Sequence, residues 1–88
     1  MVTDKDIDCR IGQYMRGQRQ ERGMALSQAE AKGRQNGRKV FASTISELER
    51  GMRPWTIRRF REFAAMFGIT TAELMRVVAD LVDTTLRG

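Results

Sequence analysis

Apolar side chains return at intervals of three and four residues in five stretches of this chain, and nearly every stretch is closed by a helix-stopping residue. The first predicts a helix from about Asp8 to Arg22, with Ile11, Tyr14, Met15 and Gln18 turned inward and Gly23 ending it. The second opens at Ser27, whose hydroxyl makes a capping box with Glu30. Its body, Gln28 to Lys32, fades into Gly33–Lys39, a basic stretch with two glycines and an Asn-Gly turn signal. The third, Val40 to Gly51, is short and two-sided. Ile45 and Leu48 lie on one edge with Val40 or Phe41 ahead of them, while Ala42, Ser43, Ser46 and Glu47 form a slim polar edge. The fourth starts at Thr56, carries Ile57, Phe60, Phe63, Ala64 and Phe67 at helical spacing, and stops at Gly68. The fifth begins with a Thr70/Glu73 capping box and bears Leu74, Val77, Val78, Leu81, Val82 and Leu86 in one broad stripe.

No segment reads as a strand and no internal repeat is visible, so the pattern predicts an all-α, compact five-helix bundle. Short helices on short loops favour antiparallel or angled neighbours. Phe60, Phe63 and Phe67 supply most of the large apolar surface, each buried ring contributing on the order of 2–3 kcal/mol. Trp55, at a loop-to-helix junction, either packs on that core or offers its indole N–H to a phosphate.

Composition narrows the function. The 88 residues contain no histidine and one cysteine, Cys9, which leaves no zinc site, no His-based catalytic centre and no internal disulfide. Ser, Asp and Glu occur without a base or metal to activate them, so neither an enzyme nor a cofactor is expected, and no small-molecule substrate is evident. No apolar run approaches the roughly 20 residues that cross a bilayer, and the polar, acidic start differs from a secretion signal. These features together suggest a cytoplasmic protein.

The net charge of +5 is unevenly distributed. Thirteen Lys and Arg face four acids between Arg10 and Arg61, whereas the segments on either side are net acidic. A basic middle between acidic ends points to a polyanionic partner.

The string Ile11-Gly12, Met15-Arg16, Arg19, Arg22-Gly23, then Leu26-Ser27-Gln28, then Ser43-Thr44-Ile45-Ser46-Glu47-Leu48-Glu49-Arg50-Gly51 resembles the Cro/C1-type, or XRE-like, helix-turn-helix family. Phe63–Leu74 is similar to that family's fourth and fifth helices, so the resemblance spans about residues 11–75. It implies a lambda-repressor-like bundle in which helices 2 and 3 form the helix-turn-helix, while the C-terminal helix here is extended about ten residues past the family's usual stop. The implied organisation is an acidic lead over 1–9, a DNA-binding domain over 10–75, and a helical extension over 76–88. The sequence departs from the family by about two extra residues before Ser27 and about three between helices 2 and 3. Ala31-Lys32 also stands where the family has an apolar pair. A weakly packed second helix and a mobile Gly33–Lys39 loop, ordered only on DNA, follow as expectations.

The resemblance implies a sequence-specific regulator of double-stranded DNA, a repressor of phage or bacterial type. The alternatives are an antitoxin of a toxin–antitoxin pair and an accessory factor that bends DNA for recombination. Ala42, Ser43, Thr44, Ser46 and Glu47 are the expected base readers. Gln28, Arg50, Arg53 and Arg58 are expected on phosphates, joined by Arg34, Arg38 and Lys39 from the basic stretch. Arg19 and Glu49 match positions that pair inside the bundle in many relatives. The stripe on helix 5 predicts a homodimer through Leu74, Val78 and Leu81, or else a helix that folds back to complete the core.

Overall fold

Thr3 starts the first helix. In the computed structural model, which describes residues 1–88, the Thr3 hydroxyl accepts from the Asp6 N–H at 3.1 Å and the Asp6 carboxylate accepts from the Thr3 N–H at 2.9 Å. This reciprocal cap carries α1 over Asp4–Glu21, so the helix begins well before the expected Asp8 and takes in most of the acidic lead. The acidic character still has a local role, because Asp4 and Asp6 sit at the positive end of the helix dipole. Four further helices follow: α2 (Leu26–Gln35), α3 (Ala42–Glu49), α4 (Ile57–Phe67) and α5 (Thr71–Arg87). No strand is present. The radius of gyration, 12.3 Å, matches the value of about 12 Å expected for a compact chain of this length. No helix is long and apolar enough to cross a membrane.

The second helix differs from expectation at both ends. Ala25, not Ser27, is its N-cap, and Gln28 reaches back to accept from the Ala25 N–H at 2.7 Å. Ser27 lies exposed within the first turn. At the other end, Gly33 belongs to the helix and is buried, with Met66 of α4 against it. A Cβ there would come within 3.1 Å of the Arg38 carbonyl and 3.3 Å of the Met66 side chain. Small residues, Ala29 and Gly33, therefore let α2 approach α4 closely, which replaces the missing apolar pair. The loop after it is tied down as well. Arg38 N–H closes on the Gly33 carbonyl at 2.8 Å, and the Asn36 amide donates to the Ala65 carbonyl at 2.7 Å. The mobile Gly33–Lys39 insertion thus reduces to a bonded connection over 36–41.

Helices α1 and α3 pack together, as do α2 with α3 and α4, and α5 with α1 and α4. Met15, Ile45, Leu48, Phe63, Met66 and Leu74 form the fully enclosed centre. Trp55 stacks on Phe60 at 5.5 Å between ring centroids and meets Phe63 edge-on at 4.8 Å. Its indole nitrogen is enclosed without a partner, so the ring serves packing and does not face a phosphate.

Three stripe residues are not in the core. Ile57 is 58% exposed, and Val77 and Leu86 are also on the surface. Ile57 is the first residue of α4, ahead of the turn that meets the bundle. Conversely Leu74 (1% exposed) and Val78 (4%) are enclosed by their own chain, so they are unavailable to a second copy. Leu81 alone of the three expected interface residues keeps surface, half-buried at the edge of the core.

Candidate nucleic-acid interface

Helix α3 is fixed from both ends by other helices. Its N-cap, Phe41, has no side chain that can accept, and the first N–H, on Ala42, donates instead to the Glu30 carboxylate of α2 at 2.6 Å. The other Glu30 oxygen accepts from Arg34 at 2.8 Å. At the far end Gly51 takes φ 72°, which allows Met52 N–H to close on the Glu47 carbonyl at 2.9 Å. The same glycine lies against Cys9 of α1, and Gly12 lies against the Leu48 and Glu49 carbonyls. A side chain at either position would push α1 off α3.

The inward face of α3 carries Ile45, Leu48 and Glu49. Arg19 donates through Nε to one Glu49 oxygen at 2.7 Å and through Nη2 to the other at 2.9 Å, a bidentate pair in the interior. Its remaining Nη1 donates to the Met24 carbonyl at 2.8 Å. Hydrogen bonding to Glu49 holds the Arg19 pKa above the ordinary guanidinium value against the opposing effect of burial. The ion pair thus joins α1, the α1–α2 loop and α3.

On the opposite face Ser43 is exposed, and Ala42, Thr44, Ser46 and Glu47 are half-buried. Ala42, Ser43, Ser46, Glu47 and Arg50 line an open hollow of about 500 Å³ together with Leu26 of α2. Leu26, Ser46 and Arg50 continue into a second hollow bordered by Arg16 of α1. The two share a rim, so the polar edge of α3 lies in one trough running from α2 to α1.

The charges around this trough are sorted. Glu30, Glu47 and Glu49 are each engaged by an arginine: Arg34, Arg53 at 3.0 Å, and Arg19, respectively. Arg16 and Arg50 have no carboxylate partner. The local field is therefore positive although three acids are close by. Glu47 is committed to Arg53, which makes it a weaker acceptor for a base edge than its position alone suggested.

The remaining expected contacts are dispersed. Gln28 uses its carbonyl oxygen on Ala25 N–H, leaving the amide N–H₂ without a partner. Lys39 lies over the Phe41 ring at 5.5 Å from its centroid. Arg58 is exposed and pairs loosely, at 3.6 Å, with the buried Glu62, which Arg59 holds at 2.8 Å. Arg38 departs from the group. It lines a hollow with Arg61, Gly68 and Thr70 at the α4–α5 junction rather than the trough beside α3.

Two residues stand out only in the structure: Arg16, which borders the trough, and Phe41, the N-cap of α3. Arg16 reads as an ordinary solvated cation on α1, and only the packing of α1 on α3 brings it beside Arg50. Either Val40 or Phe41 reads as the core residue ahead of Ile45, and Phe41 is the one left 57% exposed at the start of α3. The signal available was Val40: one of two adjacent apolar residues must face out, and Val40 is the buried one.

Comparison of the chain and its structure with protein-family models, with characterised proteins and with solved structures gives no match.

Proposed function

We propose that this protein is a sequence-specific double-stranded DNA-binding regulator, with α2 and α3 as the helix-turn-helix and α3 entering the major groove. The observation that carries this reading is the trough beside α3: short polar side chains at its floor, unpaired Arg16 and Arg50 at its rim, and every nearby acid neutralised. A groove-reading helix must be slim enough to reach base edges and must meet a phosphate backbone with positive charge. Ser43, Thr44, Ser46 and Ala42 read bases; Arg16, Arg50, Arg53, Arg34, Lys39 and the Gln28 amide hold the backbone. Arg58 contributes from the start of α4, while Arg38 lies on another side and is dropped from this set. In this reading Phe41 adds an apolar contact to a thymine methyl group, which suits a helix lacking Arg, Asn and Gln on its reading face.

A dimer completes the proposal, because one short helix reads few base pairs and a two-fold pair reads two half-sites one helical turn apart. Exposed Val77 and half-buried Leu81, one turn apart on α5, are the residues left to meet a second copy. Repression by occupying an operator requires no further domain. The deciding experiment is selection of bound duplexes from random DNA by the purified chain. A recovered palindrome supports both groove reading and the dimer; no retention of any duplex at low salt ends the proposal.

A further inference from the structure

A groove of about 620 Å³ opens on the side of α2 away from α3. Its lining is mixed: buried Met66 and Phe67 lie at the bottom, half-buried Met24 and exposed Ala31 offer the reachable apolar surface, and the rim carries Arg22 and Lys32. Neither cation has a carboxylate partner anywhere in the chain. Arg22 is nonetheless held in place. Its Nη1 donates to the Gln18 carbonyl at 3.3 Å and to the Gln18 side chain at 2.9 Å, and the guanidinium lies 4.5 Å from the centroid of the Phe67 ring. This leaves Nε and Nη2 unpartnered, and that edge is the one that receives a carboxylate through two parallel hydrogen bonds.

We infer that this groove docks an acidic segment of another protein, with an apolar side chain against Met24 and Ala31 and a neighbouring carboxylate on Arg22 and Lys32. The charge of the rim and that apolar surface together select such a segment. A nucleic-acid backbone has the anion but would leave the apolar surface uncovered, whereas an apolar helix without acids would leave both cations facing it. A second copy of this chain could offer α5, but its three acids, Glu73, Asp80 and Asp83, are interspersed with Arg76 and Arg87, which the two rim cations would repel. Gln28 also lines the groove. If the proposed DNA contact at Gln28 holds, a docked segment competes with the operator at that residue, and the groove is the place where a partner releases the regulator. Only this competition rests on the DNA reading; docking itself does not.

The test is selection of short peptides from a displayed random library against the full chain, with the enriched peptides synthesised as probes. The expected peptides place Asp or Glu beside a large apolar residue, and their affinity falls about tenfold or more in Arg22→Gln and in Lys32→Gln. Ala31→Glu, which puts a negative charge on the exposed apolar surface, is expected to abolish binding, and circular dichroism establishes that each variant is folded. The same probes should displace duplex DNA from the wild-type chain. Peptides without acids, or affinities unmoved by these substitutions, overturn the proposal. A loss of duplex affinity in Arg22→Gln as large as in Arg50→Gln would assign the groove to DNA instead, and self-association abolished by Arg22→Gln would assign it to a second copy. If peptides bind as expected and no duplex is ever retained, docking stands and the DNA reading fails.

Discussion

Glu30 of α2 accepts from the backbone N–H of Ala42, the first residue of α3, at 2.6 Å. A carboxylate from one helix thereby caps the next, and it also complements the positive end of the α3 dipole. Helix α3 has only eight residues and no capping side chain of its own, so its entry depends on α2. Glu30→Ala should cost about 1 kcal/mol, as lost caps do, and lower Tm by about 4–8 °C. Amide exchange should quicken first at Ala42–Thr44. Unchanged protection there would show that α3 starts without Glu30.

The Arg19–Glu49 pair makes a larger prediction. Glu49→Ala leaves a buried guanidinium without its carboxylate, and breaking one side of such a pair costs about 3–5 kcal/mol. For a domain of this size that is a large share of total stability. The variant should be largely unfolded at ambient temperature, whereas replacing both residues with apolar ones should recover much of the loss. Denaturation midpoints of the two single variants and the double variant provide the check. Equal midpoints for wild type and Glu49→Ala would remove the pair from any structural role.

Salt dependence separates backbone contacts from base readers. Arg16→Gln and Arg50→Gln should each weaken binding to all duplexes alike and reduce the slope of log affinity against log salt by about one. Ser43→Ala should alter preference among sequences and leave the slope as it was. Titrations over a range of salt concentrations, on the selected operator and on an unrelated duplex, distinguish these outcomes.

For Phe41, the informative change is in the DNA. Replacing thymine by uracil removes one methyl group and leaves every hydrogen bond of the pair in place. At the position Phe41 reads, this swap should weaken wild-type binding several-fold, on the order of 1 kcal/mol for a lost methyl contact, and should have no effect on Phe41→Ala. Equal sensitivity of both proteins at every thymine would exclude the contact.

Acid should act on the start of α1. Hydrogen bonding from the Thr3 backbone N–H, and secondarily from the nearby Thr3 side chain, holds the Asp6 carboxyl below its ordinary range. A carboxylate lowered in the folded state stabilises it at and above the unfolded titration range, and that contribution vanishes as pH falls through the lowered value. NMR titration should find Asp6 at a lower midpoint in the folded chain than in urea, with the difference reduced in Thr3→Ala. Protection of the first-turn amides should fade over the same pH interval. Identical midpoints in folded and unfolded chains would rule this out.

Much of the helical framework was legible from local pattern, for a physical reason: period, cap and stop act within one or two turns. Gly23, Gly51 and Gly68 end their helices where the sequence indicated, and the Thr56 and Thr70 hydroxyls cap α4 and α5. The start of α1 was missed because its capping box uses Asp6 rather than Glu or Gln. The boundary of α2 was missed because Ser27 offered a good cap while the side chain that closes the turn is Gln28. In the candidate site, the polar edge of α3 followed from spacing, but its setting did not.

What the amino-acid sequence determined alone is therefore the number and type of elements, the two-sided form of α3 and the concentration of positive charge in the middle of the chain. Each of these follows from residues close together in the chain. The tertiary structure decided the rest. It turned Leu74 and Val78 inward and left Ile57 and Phe41 outside. It also gave Glu30 to Ala42, brought Arg16 beside Arg50, and opened a groove between Arg22 and Lys32. Those relationships depend on which helix faces which, and that is set by the close approach of small residues such as Gly12 and Gly33 to distant backbone and side chains, a property of the packed chain that no local window contains.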